Sequence, residues 1–320
     1  MRRLSLLFFC LFLSSVSGFA QMAKTNGIEV WYETFGKKED SAVLLVMGGG
    51  CQGIHWPTEF CRRLAAEGLY VIRYDHRDTG LSTCFDFAKA PYDMLDLTRD
   101  AIGLLDAIGV QKAHWVGLSM GGPIAQLAAV HFKERVTGIT LMATSCDMEA
   151  SVRACEGLAA GPNSLSPPNP DYVAFMKARE ATFKAKTQPP TISEQVDQSV
   201  EGWRMLSGSM PFDEERYQEI WSYFFYRARH LESMWNHLLA IKQSYNLIRT
   251  IPYLVEVPTL ILQGSADPIF GPDHGQALAK AIQGSRYMLV EGMGHLPNAA
   301  FYDLWCKEIK YTATLSACSI

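Results

Sequence analysis

The sequence predicts an α/β protein: a doubly wound, mostly parallel sheet with helices on both faces, and a helical cap inserted between its two halves. Two observations carry that expectation. Short apolar runs alternate with segments of helical spacing from about residue 42 to 146, as βαβ units require. The alternation stops near residue 147 and returns at 255, with a Pro/Gly/Ser stretch at 161–170, a second Pro-Pro at 189–190 and aromatic-rich helical segments between, where no strand signal occurs. The expected organisation is a core of residues 22–146 and 255–320 around a cap of residues 147–254, preceded by a leader of residues 1–20.

The leader reads Arg2-Arg3, then LSLLFFCLFL, then SSVSGFAQ, with the small residues Gly18 and Ala20 at the −3 and −1 positions of a cut after Ala20. That is the layout of a cleaved secretory signal, so the mature chain is expected to be exported, periplasmic or secreted. A retained leader would instead be a membrane anchor. The apolar run is short against the roughly 20 residues a bilayer demands, so no stable span is expected after cleavage.

In order, GIEVWYETF at 27–35 alternates apolar and polar and is expected to be an outer antiparallel strand. Residues 42–47 form a continuous apolar run, as in a strand covered on both faces, and end in three glycines at 48–50. A helix is expected over 58–67, and a strand over 70–74 that runs into DHRDTGLS. Asp75, Arg77 and Gly80 of that loop are expected to be structural. A further amphipathic helix is expected over 95–108, followed by the apolar run beginning at Ala113. A strand over 136–142 closes the first half. The second half offers a strand at 259–262, a helix at 273–282, a strand at 286–290 and a closing helix at about 298–311.

Composition narrows the classes. With 320 residues, 48% hydrophobic and 19% charged, the chain is globular with a large core. A net charge of −4 and no basic stripe speak against a nucleic-acid partner. Eight cysteines become seven once Cys10 leaves with the leader, an odd number that implies at least one free thiol. They include no C-x-x-C pair and no His/Cys cluster at zinc spacing, so no metal is expected. They read mainly as small buried hydrophobes, with room for one or two disulfides.

The chemistry centres on AHWVGLSMGG at 113–122 followed by PIAQLAAV: strand, sharp turn, helix. In that context Gly117-x-Ser119-x-Gly121 is a nucleophile elbow, in which flanking glycines avoid collisions and the serine Oγ stands at the carboxyl end of the sheet. A serine hydroxyl needs a base, and the base a third group that fixes its tautomer. Asp267 follows the 259–262 strand in GSADP, and His295 follows the 286–290 strand in EGMGH. Each alone reads equally as a turn or surface residue. Together, behind separate strands and in the order Ser, Asp, His, they are the expected acid and base. Asp147, just after the 136–142 strand, is the competing acid. The other histidines lack a matching strand-end context, and His230 and His237 fall within the cap. The developing oxyanion needs backbone donors: Met120, next to the nucleophile, and Gly49 from the triple-glycine loop, with Gly48 the next choice. No cofactor is called for.

VMGGG at 46–50, YDHRDTGLS at 74–82, GLSMGG at 117–122, GSADP at 264–268 and GMGH at 292–295 occur in the order of the α/β-hydrolase superfamily, which the chain resembles over roughly residues 25–310. YDHRDTG, Trp56-Pro57 and WRMLSG-x-x-PFD at 203–213 resemble the aclacinomycin methylesterase-like serine esterases in particular. The resemblance implies Ser119, Asp267 and His295 as a triad, Gly49 and Met120 as oxyanion donors, and a cap over about 147–254. Met47-Gly48 replaces the usual His-Gly, a variation that group shares. Its antibiotic-pathway substrate is not carried over, because this chain has an export-type leader. The expected function is hydrolysis of a carboxylic ester of a small or medium hydrophobic molecule through an acyl-enzyme. Perhydrolase or haloperoxidase-like, thioesterase and C–C hydrolase activities could run on the same groups, and a non-catalytic binding protein on this scaffold is the remaining class.

Overall fold

The computed structural model describes residues 19–159, 161, 164–185 and 190–315. Nearly all of the expected leader, with Cys10, and also Cys318 thus lie outside the described residues. Eight strands form one sheet in the order β1-β2-β4-β3-β5-β6-β7-β8: β1 Phe19–Thr25, β2 Ile28–Phe35, β3 Ser41–Val46, β4 Leu69–Tyr74, β5 Ala113–Leu118, β6 Val136–Met142, β7 Thr259–Gly264 and β8 Arg286–Val290. Every pair from β4 to β8 is parallel, while β1, β2 and β4 pair antiparallel.

The edge differs from expectation. The alternating segment gives β2, but β1 lies outside it and begins at Phe19, inside the stretch assigned to the leader. Asn26 and Gly27 both have positive φ, 50° and 78°, the two-residue turn whose twist suits a tight hairpin. A cut after Ala20 would remove only the first two residues of β1.

Around this sheet the period of two sorts the strand side chains into two layers. Leu44, Val46, Ile72, Trp115, Ile139, Leu141 and Ile261 face one cluster, which holds Leu97, Ala101 and Leu104 of α2 (Met94–Ala107) and Ile124 and Leu127 of α3 (Gly121–His131). Val43, Leu45, Val71, Val116, Leu118, Leu260 and Leu262 face the other, with Phe60 and Leu64 from α1 (Thr58–Ala66) and Trp305 and Ile309 from a helix over Tyr302–Leu315. The central strands are therefore apolar throughout because both faces are covered. α2 starts where Asp93 accepts from the Leu95 and Asp96 amides, and Asp96 reciprocates on the Asp93 amide.

Between β6 and β7 the described residues hold no strand; their α-helices are α4 (Met148–Cys155), α5 (Pro170–Ala185), α6 (Ile192–Leu206), α7 (Glu214–Arg227), α8 (Asn236–Gln243) and α9 (Tyr245–Thr250). α6 and α7 build a core of their own from Val196, Val200, Trp203, Tyr217, Trp221, Phe224 and Phe225, which closes on Trp31 and Ile54 of the body. Most of the aromatics noted in this segment are thus packing. Tyr223, Tyr226 and Trp235 instead face solvent. Ala240 and Ile248, later in the segment, pack into the body's own cluster.

A buried ion pair ties this cap to the body. Arg227 of α7 meets Asp75 at 2.9 Å and donates to Gln52 Oε1 at 2.7 Å, while Asp75 also accepts from the Gly53 and Leu81 amides. Arg77 grips Asp100 of α2 with two nitrogens, and a Cβ at Gly80 would sit 2.0 Å from the Asp75 carboxylate. Cys51, Cys61, Cys84, Cys146, Cys155 and Cys306 are all free thiols, so no disulfide forms among the described residues. Cys61 and Cys306 are buried in the apolar layer, as small hydrophobes are.

Candidate active site

β5 delivers Ser119 with φ +54°, a left-handed conformation that a non-glycine residue adopts only under constraint. The turn is held by three bonds: the Ser119 amide donates to Met142 O, the Gly122 amide to Ser119 O at 2.9 Å, and Thr144 Oγ1 to Ser119 O at 2.6 Å. Glycine is obligatory on both sides. A Cβ at Gly117 would lie 2.2 Å from Gly121 O, and one at Gly121 would lie 2.1 Å from Val46 O.

Beyond β7, Asp267 Oδ1 accepts from the Ile269 and Phe270 amides, and its Oδ2 stands 2.9 Å from His295 Nδ1. Both side chains are almost wholly buried. The carboxylate can only accept, so Nδ1 carries a hydrogen, and in the neutral imidazole Nε2 then presents its lone pair. Phe270 stands edge-on to the imidazole at 5.5 Å. The loop bearing His295 is braced by the cap: the His295 amide donates to Leu206 O at 2.8 Å, Ser209 N to Gly292 O at 3.0 Å, and Gly208 bridges Met293. A Cβ at Gly294 would meet Leu206 O at 2.3 Å, so glycine lets the two backbones close.

Ser119, Asp267 and His295 therefore emerge at the carboxyl ends of β5, β7 and β8, along one rim of the sheet. The structure joins the acid and the imidazole directly, whereas no hydrogen bond within 3.5 Å joins Ser119 Oγ to His295. The competing acid is engaged elsewhere. Asp147 pairs with Arg249 at 2.9 Å and accepts from the Leu165 amide.

Residues 47–50 lie against the elbow. A Cβ at Gly48 would approach Ser119 Cβ to 3.2 Å, and one at Gly49 would approach Met120 Sδ to 3.3 Å. The amides of Gly48, Gly49 and Met120 donate to no other described residue, whereas Gly50 N–H is taken up by His237 Nδ1. The sequence places His237 within the cap, and nothing in its local sequence marks it. The Leu206–Ser209 brace falls within WRMLSG-x-x-PFD at 203–213, whose only signal in the sequence is a family resemblance. His55, His76 and His114 are buried histidines whose pKa values burial pushes down to about 3, which keeps them neutral.

Residues 42–299 match the model of the alpha/beta hydrolase fold. The chain belongs to the α/β-hydrolase family. As an α/β hydrolase it is similar to rhodomycin D methylesterase DauP of Streptomyces sp. (strain C5), at 34% identity over 88% of this chain and 94% of that protein. It is likewise similar to rhodomycin D methylesterase DnrP of Streptomyces peucetius, at 33% identity over the same shares. The enol-lactonase from Burkholderia xenovorans LB400 shares the fold, with a TM-score of 0.69 and 22% identity over 92% of this chain and all of that one. No helix among the described residues is long and apolar enough to cross a membrane.

Proposed function

We propose that this α/β hydrolase cleaves a carboxylic ester through an acyl-enzyme on Ser119. His295 Nε2 takes the serine proton as Oγ attacks the carbonyl, then returns it to the leaving alcohol. Asp267 holds the tautomer and stabilises the imidazolium. The amides of Gly49 and Met120 receive the negative charge that develops on the carbonyl oxygen. Water, deprotonated by His295, then releases the acid and regenerates Ser119.

The observation that carries this reading is the buried Asp267–His295 pair, which leaves Nε2 as a free base on the rim where the strained elbow presents Ser119. The open Ser119–His295 contact is compatible with it, since such bonds commonly tighten only when substrate arrives. Two relatives named methylesterases, matched over most of both chains, favour an ester over other acyl groups. The leader favours export.

The test is hydrolysis of an acyl-chain-length series of esters by the purified protein, with fluorophosphonate labelling in parallel. Ser119→Ala is expected to abolish both, and His295→Ala to cut turnover by about 10³-fold or more. Equal labelling of wild type and Ser119→Ala, or near-normal turnover in His295→Ala, would overturn the proposal. N-terminal sequencing of the exported protein tests the cut after Ala20.

A further inference from the structure

We infer that His237, on cap helix α8, is a positioning residue for the oxyanion loop. The inference rests on the acyl-enzyme reading above and adds to it a cap residue that acts through Gly50. The two ring nitrogens have opposite, fixed duties. Gly50 N–H donates to Nδ1 at 3.0 Å, so Nδ1 presents a lone pair. Nε2 stands 2.8 Å from Arg77 O, which can only accept, so Nε2 carries the hydrogen. The ring is 1% exposed and has no room to choose another partner.

A second imidazole completes the arrangement. His76 Nε2 donates to Met47 O at 3.0 Å, and its ring packs edge-on against His237 with centroids 5.6 Å apart. The loop is thus pinned at Met47 from the body and at Gly50 from the cap. The residues between the two pins are Gly48 and Gly49, whose amides are the unengaged donors beside Ser119 and Met120. Glycines have the widest backbone freedom of any residue, so an amide there points usefully only if its neighbours hold it. His237 Cβ lies 3.8 Å from where a Cβ at Gly49 would be, so the same cap residue also borders the second glycine. The cap therefore does more than roof the substrate: it sets one edge of the oxyanion hole.

The expected signature is kinetic. An amide displaced from the developing oxyanion costs transition-state binding and leaves ground-state binding nearly intact. His237→Ala is expected to lower kcat by about 10- to 100-fold, short of the 10²–10³ for outright removal of a donor, with KM within about twofold. Affinity for a trifluoromethyl ketone analogue of the best ester should fall in proportion to kcat/KM. His237→Asn and His237→Gln separate positioning from mere packing. Asn places its oxygen near the Nδ1 position and keeps the acceptor for Gly50, whereas Gln places its nitrogen near the Nε2 position and keeps only the donor to Arg77 O. Asn is expected to recover most of kcat and Gln little.

Equal kcat for Asn and Gln, or a loss in His237→Ala that falls on KM, would overturn the inference while leaving the esterase reading intact. A wild type that neither turns over esters nor reacts with fluorophosphonate would overturn both. If the alanine variant fails to fold, the Asn and Gln pair still decides.

Discussion

Replacing Asp267 with Asn tests the acid–base geometry with little disturbance to the fold. Oδ1 of Asp267 accepts from the Ile269 and Phe270 amides at 2.8 and 3.0 Å, and an Asn carbonyl oxygen can keep both bonds. The Asn NH2 then faces His295 Nδ1, where Oδ2 stood at 2.9 Å. Two donors cannot share that contact, so Nδ1 must give up its proton and Nε2 must carry it. The nitrogen needed as base for Ser119 is then blocked. The same exchange in a serine protease triad costs about 10⁴ in kcat, which is about 5 kcal/mol of transition-state stabilisation. We expect Asp267→Asn to lose about 10³–10⁴ in kcat on the best ester, with a thermal midpoint within a few degrees of wild type. Asp147→Asn should leave kcat nearly unchanged, because this carboxylate is engaged by Arg249 and the Leu165 amide and makes no bond to His295. Steady-state kinetics on both variants suffice. An Asp267→Asn enzyme within tenfold of wild type, or a comparable loss in Asp147→Asn, would refute the assignment.

Other outcomes follow from the same structure. Gly294→Ala would push a methyl to 2.3 Å from Leu206 O and 2.4 Å from the Gly208 amide, so it should part the His295 loop from the cap and lower both kcat and melting temperature, read by kinetics and calorimetry. Arg227→Ala leaves Asp75, which is fully buried, without its countercharge, a change that typically costs about 3–5 kcal/mol and is measurable as a lower urea midpoint. Stability should also fall with acid. His55, His76 and His114 have folded pKa values near 3, below the ordinary value of 6.5, because burial disfavours their charged forms. Their contribution is full above about pH 6.5 and is withdrawn below it, at up to about 1.4 kcal/mol per pH unit for each proton that only the unfolded chain binds. Asp75 and Asp100, raised by burial, oppose this with fewer groups, so the urea midpoint should drop between pH 7 and 5.5. An unchanged midpoint would contradict the neutral state of these histidines.

What the amino-acid sequence determined by itself was whatever short-range physics specifies. Continuous apolar runs marked the central strands, and 136–142 and 286–290 fall on β6 and β8 residue for residue. The glycines around Ser119 announced a turn that only they can make, and placement after strands singled out Asp267 and His295. β1 escaped because FAQMAKT, next to an apolar leader, buries too little to show a pattern and becomes a strand only by pairing with β2. The choice between Asp267 and Asp147 was likewise tertiary. Both follow strands, and only the folded chain shows one carboxylate meeting an imidazole and the other meeting Arg249. The cap's hold on the site was the least legible part. The Gly50–His237 bond joins residues 187 apart, and the Leu206 carbonyl and His295 amide also come from distant parts of the chain. Neither contact has a local pattern to announce it, because each exists only once a separately formed helical layer has docked on the sheet.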